Sequence, residues 1–462
     1  MTTMNSEVVA GFRAALRGPV LQPGDPDYDA ARMVWNAMIE RRPALVARCA
    51  GTADVMAAVT FARRHGLPLA VRGGGHNIAG NALCDDGLVI DLSGMRGVHV
   101  DPEARLAWVD GGALLSDVDH ETQAFGLAVP LGINSTTGVA GLTLGGGFGW
   151  LSRMFGLAVD NLVGAEVVTA DGVRRDVGPD AEPDLFWALR GGGGNFGVVT
   201  RFAFALHPAG PDVTAGLVVF AQADGREVLR RYRDLVDTLP DEVSVWAVLR
   251  KAPPLPFLPV DVHGSDIVAL AVFSPLAPEA VEPVIAPLRG FGRALGEHVG
   301  AMPYTAWQKI FDPLLAPGAR NYWKSHNFRR LSDEALDVVL RYAAAVPGPQ
   351  CEIFLGLIGG RANVPAPDAT AYPHRDILYA MNVHGRWLDA ADDTRCMGWA
   401  RDFFAVAAAY AAGSVYINFM TQEEGGRIRE AYAGNYARLV QVKRQYDPEN
   451  VFRFNHNIAP DS

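Results

Sequence analysis

The chain has 462 residues, of which 49% are hydrophobic and 20% charged, and its formal net charge is −10 at pH 7. This length exceeds what one hydrophobic core usually supports, so we expect two domains. The acidic balance, without a long basic run, argues against nucleic acid or an anionic membrane as a partner. No apolar stretch is long enough to span a bilayer. The four cysteines are spaced like neither a zinc site nor a disulfide framework, so we expect a cytoplasmic protein without a metal site.

Apolar periodicity in the first 207 residues predicts a small α/β unit followed by further strands. The expected strands are 44–48, 69–72, 88–92, 162–169, 173–176 and 198–207, the expected hairpin is 98–109, and the expected helices are 52–65, 114–125 and 184–189. Thr52 is the predicted N-cap of the first of these helices, because its hydroxyl can accept from a backbone N–H. The connections between the elements are short, as in a compact α/β unit.

The composition changes near residues 208–211, and a second unit is expected from there to about residue 413. Its expected strands are 244–249, 267–273 and 351–357, and its expected helices are 224–239, 333–345 and 393–412. The proline-rich loop 251–259 suits an interdomain linker and a loop over a substrate pocket equally well. A strand at 415–419 and a long amphipathic helix at 426–445 are predicted to follow.

A glycine-rich turn follows the apolar run 67–71 and reads Arg-Gly-Gly-Gly-His over residues 72–76. Glycine permits positive φ and lets backbone N–H groups approach a ligand closely. Such a turn suits a pyrophosphate, while Arg72 adds positive charge and His76 supplies a nucleophilic imidazole. A plain glycine turn with a surface histidine is the alternative, since glycine runs are common in loops.

Two further small-residue loops repeat this chemistry. The second extends over residues 132–149 and ends in Gly-Gly-Gly-Phe-Gly, and the third, at 189–200, contains four consecutive glycines. Each loop adjoins an apolar segment. Three such loops in one chain indicate an extended ligand that passes close to the backbone at each of them.

These motifs resemble those of the berberine-bridge-enzyme-like branch of the vanillyl-alcohol-oxidase-type flavoproteins. The resemblance covers nearly the whole chain, from Arg-Pro-Ala-Leu-Val at 42–46 to Tyr-Asp-Pro-Glu-Asn-Val-Phe-Arg at 446–453. It implies an α+β fold with a two-part PCMH-type FAD-binding domain, formed by residues 1–208 and 415–462. Residues 209–414 are then an inserted substrate domain, built on an antiparallel sheet flanked by helices.

The resemblance also implies a covalently bound FAD. His76 matches the histidine that bonds the flavin 8α-methyl carbon in this family, and Asn134 stands where many members carry a second, cysteinyl link. A single 8α-histidyl bond through His76 is therefore expected. The residues expected around the cofactor are Arg72, Gly73, Gly74, Gly75, His76, Asn77, Gly132, Asn134, Thr136, Thr137, Gly138, Gly141, Gly145, Gly146, Gly147, Gly197, Val198, Val199, Asn455 and Asn457. The last two belong to a C-terminal tail expected to close on the flavin ring, where short amides can bind its polar edge.

Three residues are candidates for the base that accepts the substrate proton. Tyr436 lies in a helix that the resemblance implies covers the flavin edge, and its phenol needs a cation or a hydrogen bond to act as a base. Glu352 interrupts an apolar strand, on the face opposite to Cys351 and Ile353, where desolvation would raise its pKa. Tyr379 is the third choice. Each has a structural alternative, as a core tyrosine or as a solvent-facing strand residue.

The residue at position 137 bears on the electron acceptor. Thr137 matches a family position beside the flavin that influences oxygen access, and its modest size favours O2 as the acceptor. The expected function is an FAD-dependent oxidase that gives H2O2 and acts on a small secondary metabolite, alcohol, sugar or alkaloid, among which the fold does not choose. A monooxygenase-like tailoring enzyme that uses an oxygenated flavin and a non-enzymatic flavin-binding protein stay open as alternatives. We expect a monomer or a homodimer.

Overall fold

Strands of the described chain, residues 5–461 of this computed structural model, form four sheets. In chain order they are β1 Val20–Leu21, β2 Leu45–Arg48, β3 Leu69–Arg72, β4 Leu88–Asp91, β5 Val98–Asp101, β6 Leu106–Asp110, β7 Leu127–Ala128, β8 Leu162–Val168, β9 Arg174–Val177, β10 Val198–Ala205, β11 His207–Pro208, β12 Asp212–Ala221, β13 Ser244–Lys251, β14 Asp266–Ser274, β15 Ala294–Pro303, β16 Arg320–Phe328, β17 Glu352–Leu357 and β18 Tyr379–Trp387. Every strand predicted before residue 208 is present, with small shifts at its ends.

Each helix predicted before residue 350 is present, with its ends within three residues of the predicted positions, and further helices lie between them. In chain order they are α1 Ser6–Ala15, α2 Tyr28–Ala31, α3 Thr52–Arg64, α4 Leu115–Gln123, α5 Val139–Leu144, α6 Ser152–Phe155, α7 Pro183–Leu189, α8 Gly225–Val236, α9 Pro278–Ile285, α10 Tyr304–Trp307, α11 Asp333–Ala343, α12 Asp393–Ala407, α13 Ile428–Tyr432 and α14 Tyr436–Tyr446. The N-cap prediction for Thr52 is wrong: Gly51 precedes the first turn, and the Thr52 hydroxyl donates to Glu166 on β8 at 2.5 Å. Among the residues from 5 to 461, no helix is long and apolar enough to cross a bilayer.

The N-terminal part packs α3 against two sheets. In the first sheet, of order β1-β2-β4-β3, the pairs β2/β4 and β3/β4 are parallel. The second, of order β5-β6-β10-β8-β9, is antiparallel. Val55 of α3 shares a buried cluster with Ile90 of β4 and Val198 of β10. Because this cluster removes apolar surface from water, it holds α3 and both sheets together.

A seven-stranded antiparallel sheet, of order β15-β12-β14-β13-β17-β18-β16, occupies the middle of the chain. Helices α8, α11 and α12 pack against it, and Tyr232, Val339 and Phe403 belong to the shared core. The expected α+β architecture, with an antiparallel sheet flanked by helices, is thus confirmed. The sheet spans Asp212 to Trp387, which supports domain boundaries near 208 and 414, and the boundaries themselves stay a prediction.

The strand predicted over residues 415–419 is wrong. The segment contains one turn of 3-10 helix, Ile417–Phe419. Alternating aromatic and aliphatic residues produced the strand pattern. In the structure the rings of Tyr416 and Phe419 contact each other edge to face, with centroids 4.9 Å apart. A strand would send these two residues to opposite faces.

The single helix predicted over residues 426–445 is also wrong. The segment contains α13 and α14, separated by a break at which Ala433 adopts a φ of 44°. The Asn435 amide donates to the carbonyls of Pro367 and Thr370, at 2.8 and 3.0 Å. Because this side chain is fixed to a neighbouring loop, it favours a break over a continuous helix.

Candidate functional site

A cavity of about 400 Å³ lies between the glycine loops of the N-terminal part and one face of the seven-stranded sheet. Loop residues that line it fall in the turn 73–77 and in the segments 132–144 and 193–199. The C-terminal segment 452–456 lines it as well. The three loops that were expected to approach one ligand therefore surround one cavity.

The first two loops touch at glycines. A Cβ on Gly74 would lie 2.4 Å from the Gly138 nitrogen, and a Cβ on Gly138 would lie 2.3 Å from the Gly74 nitrogen. A side chain at either position would push the loops apart. Gly141 and Gly194 also line the cavity, yet a Cβ on either would meet no atom within 4 Å. These two glycines leave open space that an extended ligand can fill.

His76 lines the cavity and stacks on Trp35, with ring centroids 5.1 Å apart. Its Nε2 lies 2.9 Å from Thr136 Oγ1. The Thr136 hydroxyl donates to Asn134 Oδ1 at 2.7 Å, an oxygen that also accepts from the Thr136 N–H. The hydroxyl therefore accepts from His76 Nε2–H, which leaves the ring's lone pair on Nδ1. Burial lowers the pKa of His76 to about 4, so the imidazole is neutral at physiological pH.

A buried ion pair holds the C-terminal tail against the third glycine loop. Lys443 Nζ donates to Asp447 at 2.6 Å, to the Asn195 carbonyl at 2.8 Å and to the Phe452 carbonyl at 2.9 Å. Both side chains of the pair are fully buried. Asn195 Oδ1 accepts from the Ile458 N–H at 2.9 Å. Helix α14, the third loop and the tail are thus fixed to one another.

Three polar atoms of residues 455–457 are buried without a hydrogen-bond partner in the described part of the chain: Asn455 Oδ1, His456 Nε2 and Asn457 Oδ1. Asn455 and His456 line the cavity. Leaving such atoms unpaired costs free energy, so a polar ligand at this wall would stabilise the tail. A flavin ring has a polar edge, and a dinucleotide suits glycine loops that expose backbone N–H groups. The residues present therefore fit FAD.

Most residues expected around the cofactor line this cavity. They are Gly73, Gly74, Gly75, His76, Asn77, Gly132, Asn134, Thr137, Gly138, Gly141, Gly197, Val198, Val199 and Asn455. The structure does not bring Arg72, Thr136, Gly145, Gly146, Gly147 and Asn457 to the cavity wall. Arg72 is engaged elsewhere, because its guanidinium donates to the Ala31 carbonyl, and the Thr136 hydroxyl contacts the His76 ring.

The three glycines at 145–147 support the cavity wall from behind. The Gly147 N–H donates to the Tyr416 hydroxyl at 3.0 Å, and the Asn418 amide donates to the same oxygen at 2.9 Å. A Cβ on Gly145 would lie 2.1 Å from Asn418 Oδ1. Tyr416 and Asn418 both line the cavity, and the sequence argument missed them because it assigned them to a strand. Burial raises the pKa of Tyr416 to about 12, so this phenol stays protonated at physiological pH.

The two tyrosines considered as bases do not line the cavity. Tyr436 is the first residue of α14, where the Arg429 guanidinium lies 4.5 Å from its ring centroid and the Tyr432 ring is a neighbour. Tyr379 is buried in the core beside Tyr232, with ring centroids 6.2 Å apart. Burial raises the pKa of Tyr379. This placement supports the packing role that was the alternative for each, and the role of either tyrosine as the base stays a prediction.

Glu352 does line the cavity, in a row of side chains that crosses three strands. Arg250 on β13, Glu352 on β17 and His384 on β18 are register partners. Arg250 donates to Glu352 at 2.5 Å, and His384 Nδ1 lies 3.5 Å from the other carboxylate oxygen. Burial alone would raise the pKa of Glu352, but Arg250 and His384 outweigh it and lower that pKa to about 2. The raised pKa expected for Glu352 is therefore wrong, because the expectation omitted these neighbours.

His384 is a residue of the site that the sequence argument missed. Its Nε2 lies 3.1 Å from Asn321 Oδ1, and the Asn321 amide nitrogen donates to the Ala319 carbonyl at 2.7 Å, which fixes the amide orientation. Both ring nitrogens therefore face acceptors, Glu352 on one side and Asn321 on the other. Burial lowers the pKa of His384, so the ring is neutral, and a proton that it took up would be held from both sides.

Comparison with known proteins gives two family matches within this chain. The FAD binding domain family matches residues 43–178, and the berberine and berberine-like family matches residues 415–459. An FAD-linked oxidoreductase of Bacillus subtilis is 31% identical over 97% of this chain and 98% of its own length. The (R)-6-hydroxynicotine oxidase of Paenarthrobacter nicotinovorans is 31% identical over the same shares of the two chains.

A solved structure extends the likeness to three dimensions. The crystal structure of 6-hydroxy-D-nicotine oxidase from Arthrobacter nicotinovorans is 29% identical and has a TM-score of 0.87, over 96% of this chain and 98% of that one. The two family matches include the turn 72–76 and the tail beyond Lys443, and the relatives also cover the seven-stranded sheet between them. The resemblance drawn from the glycine motifs is thus confirmed, and the chain belongs to the berberine-bridge-enzyme-like family of FAD-linked oxidoreductases.

Proposed function

We propose that this protein is an oxidase that holds FAD covalently through His76 and passes electrons from a small organic substrate to O2, giving H2O2. The observation that carries the proposal is His76 itself, a neutral imidazole with a fixed tautomer in a cavity surrounded by three glycine loops. FAD, when bound, supplies the redox chemistry, because it accepts hydride from a substrate and returns the electrons to O2.

The hydrogen bonds around His76 support a single link through one ring nitrogen. Thr136 occupies Nε2, so Nδ1 is the nucleophile that we propose for the bond to the flavin. Asn134 offers a hydrogen-bond acceptor and no thiol at the position where a second link would form. None of the four cysteines is among the described residues that line the cavity, and all four are buried. The flavin is therefore expected on His76 alone.

Acid precipitation tests the covalent link. The purified protein should be yellow, the colour should stay with the precipitated chain, and His76→Ala should make the flavin extractable. Peptide mapping by mass spectrometry, after chymotryptic cleavage at Leu83 to separate His76 from Cys84, should find flavin on the peptide that contains His76 and on none that contains a cysteine. Flavin that washes out of the wild-type protein in acid would contradict the covalent proposal. A flavinylated cysteine peptide would contradict the single link.

The Glu352–His384 pair is our proposal for the proton acceptor of the reaction. The Glu352 carboxylate can take an N–H or O–H proton from a substrate and pass it to neutral His384, and the carboxylate and the Asn321 amide oxygen then hold the protonated ring. His384→Gln and Glu352→Gln should each slow anaerobic flavin reduction by roughly 10²–10⁴-fold, the usual effect of losing a general acid–base group. Near-normal reduction in both variants would show that the proton acceptor lies elsewhere.

The pH dependence of flavin reduction tests this proposal, because the direction in which the rate changes follows from the pKa of His384. Activity requires neutral His384, and burial lowers its pKa below the ordinary value of 6.5. The rate should therefore stay high as the pH falls to 6.5 and decline only in more acidic solution. In a separate assay of aerobic turnover, one H2O2 per substrate oxidised supports oxidase chemistry, whereas a substoichiometric yield would point to transfer of oxygen to the substrate.

A further inference from the structure

We propose that the substrate is a flat, uncharged and mainly apolar ring compound, and not a sugar or an ionised molecule. The inference rests on the proposed oxidase function and specifies the class of molecule that enters the cavity. It comes from the sheet face that lies opposite the glycine loops. The loops have the backbone character that a dinucleotide needs, so the sheet face is the surface left for the substrate.

The sheet face is a trough of small residues between larger ones. Ala269 and Ala271 of the middle strand β14 line the cavity. On one side their register partners are Val219 and Leu217 of β12, and on the other side they are Val248 and Trp246 of β13. These four flanking side chains also line the cavity. The trough is therefore apolar along both edges, and the short alanine side chains leave a groove along its middle. A groove of this kind suits a thin, flat molecule.

Aromatic rings line the β13 side of this trough. Trp246 and Phe354 are nearly parallel, with ring centroids 6.1 Å apart and an angle of 9° between their planes. Phe419 meets Phe354 and Trp323 edge to face, at 5.9 and 5.5 Å. All four line the cavity. Aromatic faces and edges at these spacings favour a further ring stacked among them.

The charges of the cavity are balanced without a substrate. Among its described lining residues, the side chains with a formal charge are Arg250 and Glu352, and they pair with each other at 2.5 Å. Burial lowers the pKa of His76 and of His456 to about 4, so neither ring adds charge at neutral pH. An ionised substrate would leave water without gaining a counter-ion, which is strongly unfavourable. A sugar would bury many hydroxyls against apolar side chains, with the same kind of cost.

Calorimetric titration of the holoprotein tests the inference with three probes. They are 2-naphthol, which is flat and uncharged, 2-naphthoate, which has the same rings and a carboxylate, and cellobiose. We expect 2-naphthol to bind at least tenfold more tightly than either of the others. Binding of 2-naphthoate or cellobiose as tight as that of 2-naphthol would overturn the inference. The binding measurement needs no turnover, so its outcome is separate from that of the proposed function. The proposed function is decided by two other measurements, the retention of flavin on the chain in acid and the reoxidation of reduced flavin by O2.

Two variants locate the binding in the trough. Ala269→Leu fills its middle and should weaken 2-naphthol binding at least tenfold, whereas Ala301→Leu, the same change at an exposed position of β15, should leave it unaltered. Val248→Thr keeps the volume and adds a hydroxyl to the trough, so it should weaken binding severalfold without a risk of steric misfolding. Unchanged 2-naphthol affinity in Val248→Thr and in a folded Ala269→Leu would overturn the assignment to this face.

Discussion

The Lys443–Asp447 pair makes a direct test of how the tail closes the cavity. Lys443→Met keeps an unbranched side chain with good helix propensity and removes the ammonium. The Asn195 and Phe452 carbonyls lose their donor, and the Asp447 carboxylate stays fully buried without its cation. We expect the tail to open far more often while α14 itself remains helical.

The magnitude follows from the burial of the pair. Removing one partner of a buried ion pair costs about 3–5 kcal/mol, because the remaining charge is left uncompensated in a medium of low polarity. Asp447 keeps hydrogen bonds from the N–H groups of Val451 and Phe452, at 2.7 and 2.8 Å, so the lower end of the range applies. A loss of about 3 kcal/mol corresponds to an opening constant that is roughly a hundredfold larger.

Hydrogen exchange measures this opening at single amides. The N–H groups of Phe452 and Ile458 are both hydrogen-bonded to side chains of the closed arrangement, so both exchange only when the tail opens. Each should exchange roughly a hundredfold faster in Lys443→Met than in the wild type. Amides in the core of the seven-stranded sheet should exchange at the wild-type rate, because their exchange requires opening of the sheet and not of the tail.

Lys251→Met is the matched control for this experiment. Lys251 pairs with Asp266 at 2.6 Å near the surface, where such a pair contributes about 1 kcal/mol or less. Exchange in the tail should be the same in this variant as in the wild type. Wild-type exchange rates at both tail amides in Lys443→Met would refute the view that the buried pair holds the tail.

Four further predictions concern single residues. Burial raises the pKa of Asp119 to about 7, so the folded state binds the proton more tightly than the unfolded chain and stability declines from about pH 4 to about pH 7. In Asp119→Asn the melting temperature should change less with pH over that range, and the same pH dependence as in the wild type would count against a buried acid at this position. Tyr436→Phe should leave anaerobic flavin reduction unaltered, since the ring lies outside the cavity; a large loss of rate would restore this tyrosine as the base. Thr137→Ile should slow reoxidation of the reduced flavin by O2 without slowing its anaerobic reduction, and equal reoxidation rates would exclude a role in oxygen access. Gly141→Leu should lower the flavin content per chain, because the new side chain enters open space in the cavity, and full flavin content would contradict this placement.

The glycine loops and His76 could be predicted from sequence because each is a local feature. A turn that approaches a ligand needs several consecutive residues without side chains, and such a run is visible in the chain itself. The Thr136–Asn134 support of His76 depends on two loops that meet only in the folded protein, at Gly74 and Gly138. The cofactor side of the cavity was therefore predictable in outline, and its hydrogen bonding was not.

The substrate side was less accessible to sequence reasoning. Strands β16 and β18 were not predicted, because each buries polar residues, such as Asn327 and His384, that obscure the apolar pattern. Their partners come from distant strands, and the register that joins Glu352 to His384 is a property of the assembled sheet. The pKa of Glu352 was expected to rise for the same reason: burial could be inferred from one strand, and the pairing with Arg250 could not.

The tail that completes the cavity also has a consequence for the order of synthesis. Lys443 closes on Asn195, which lies 248 positions earlier in the chain. A ribosome makes the glycine loops and the entire seven-stranded sheet before it reaches this lysine, and domains fold as they emerge. Until the tail is made, any dinucleotide cradle that the earlier part of the chain has formed stands open along one wall. Loading with FAD through that open wall, before the tail closes, would spare the finished protein the need to unfold its own last segment.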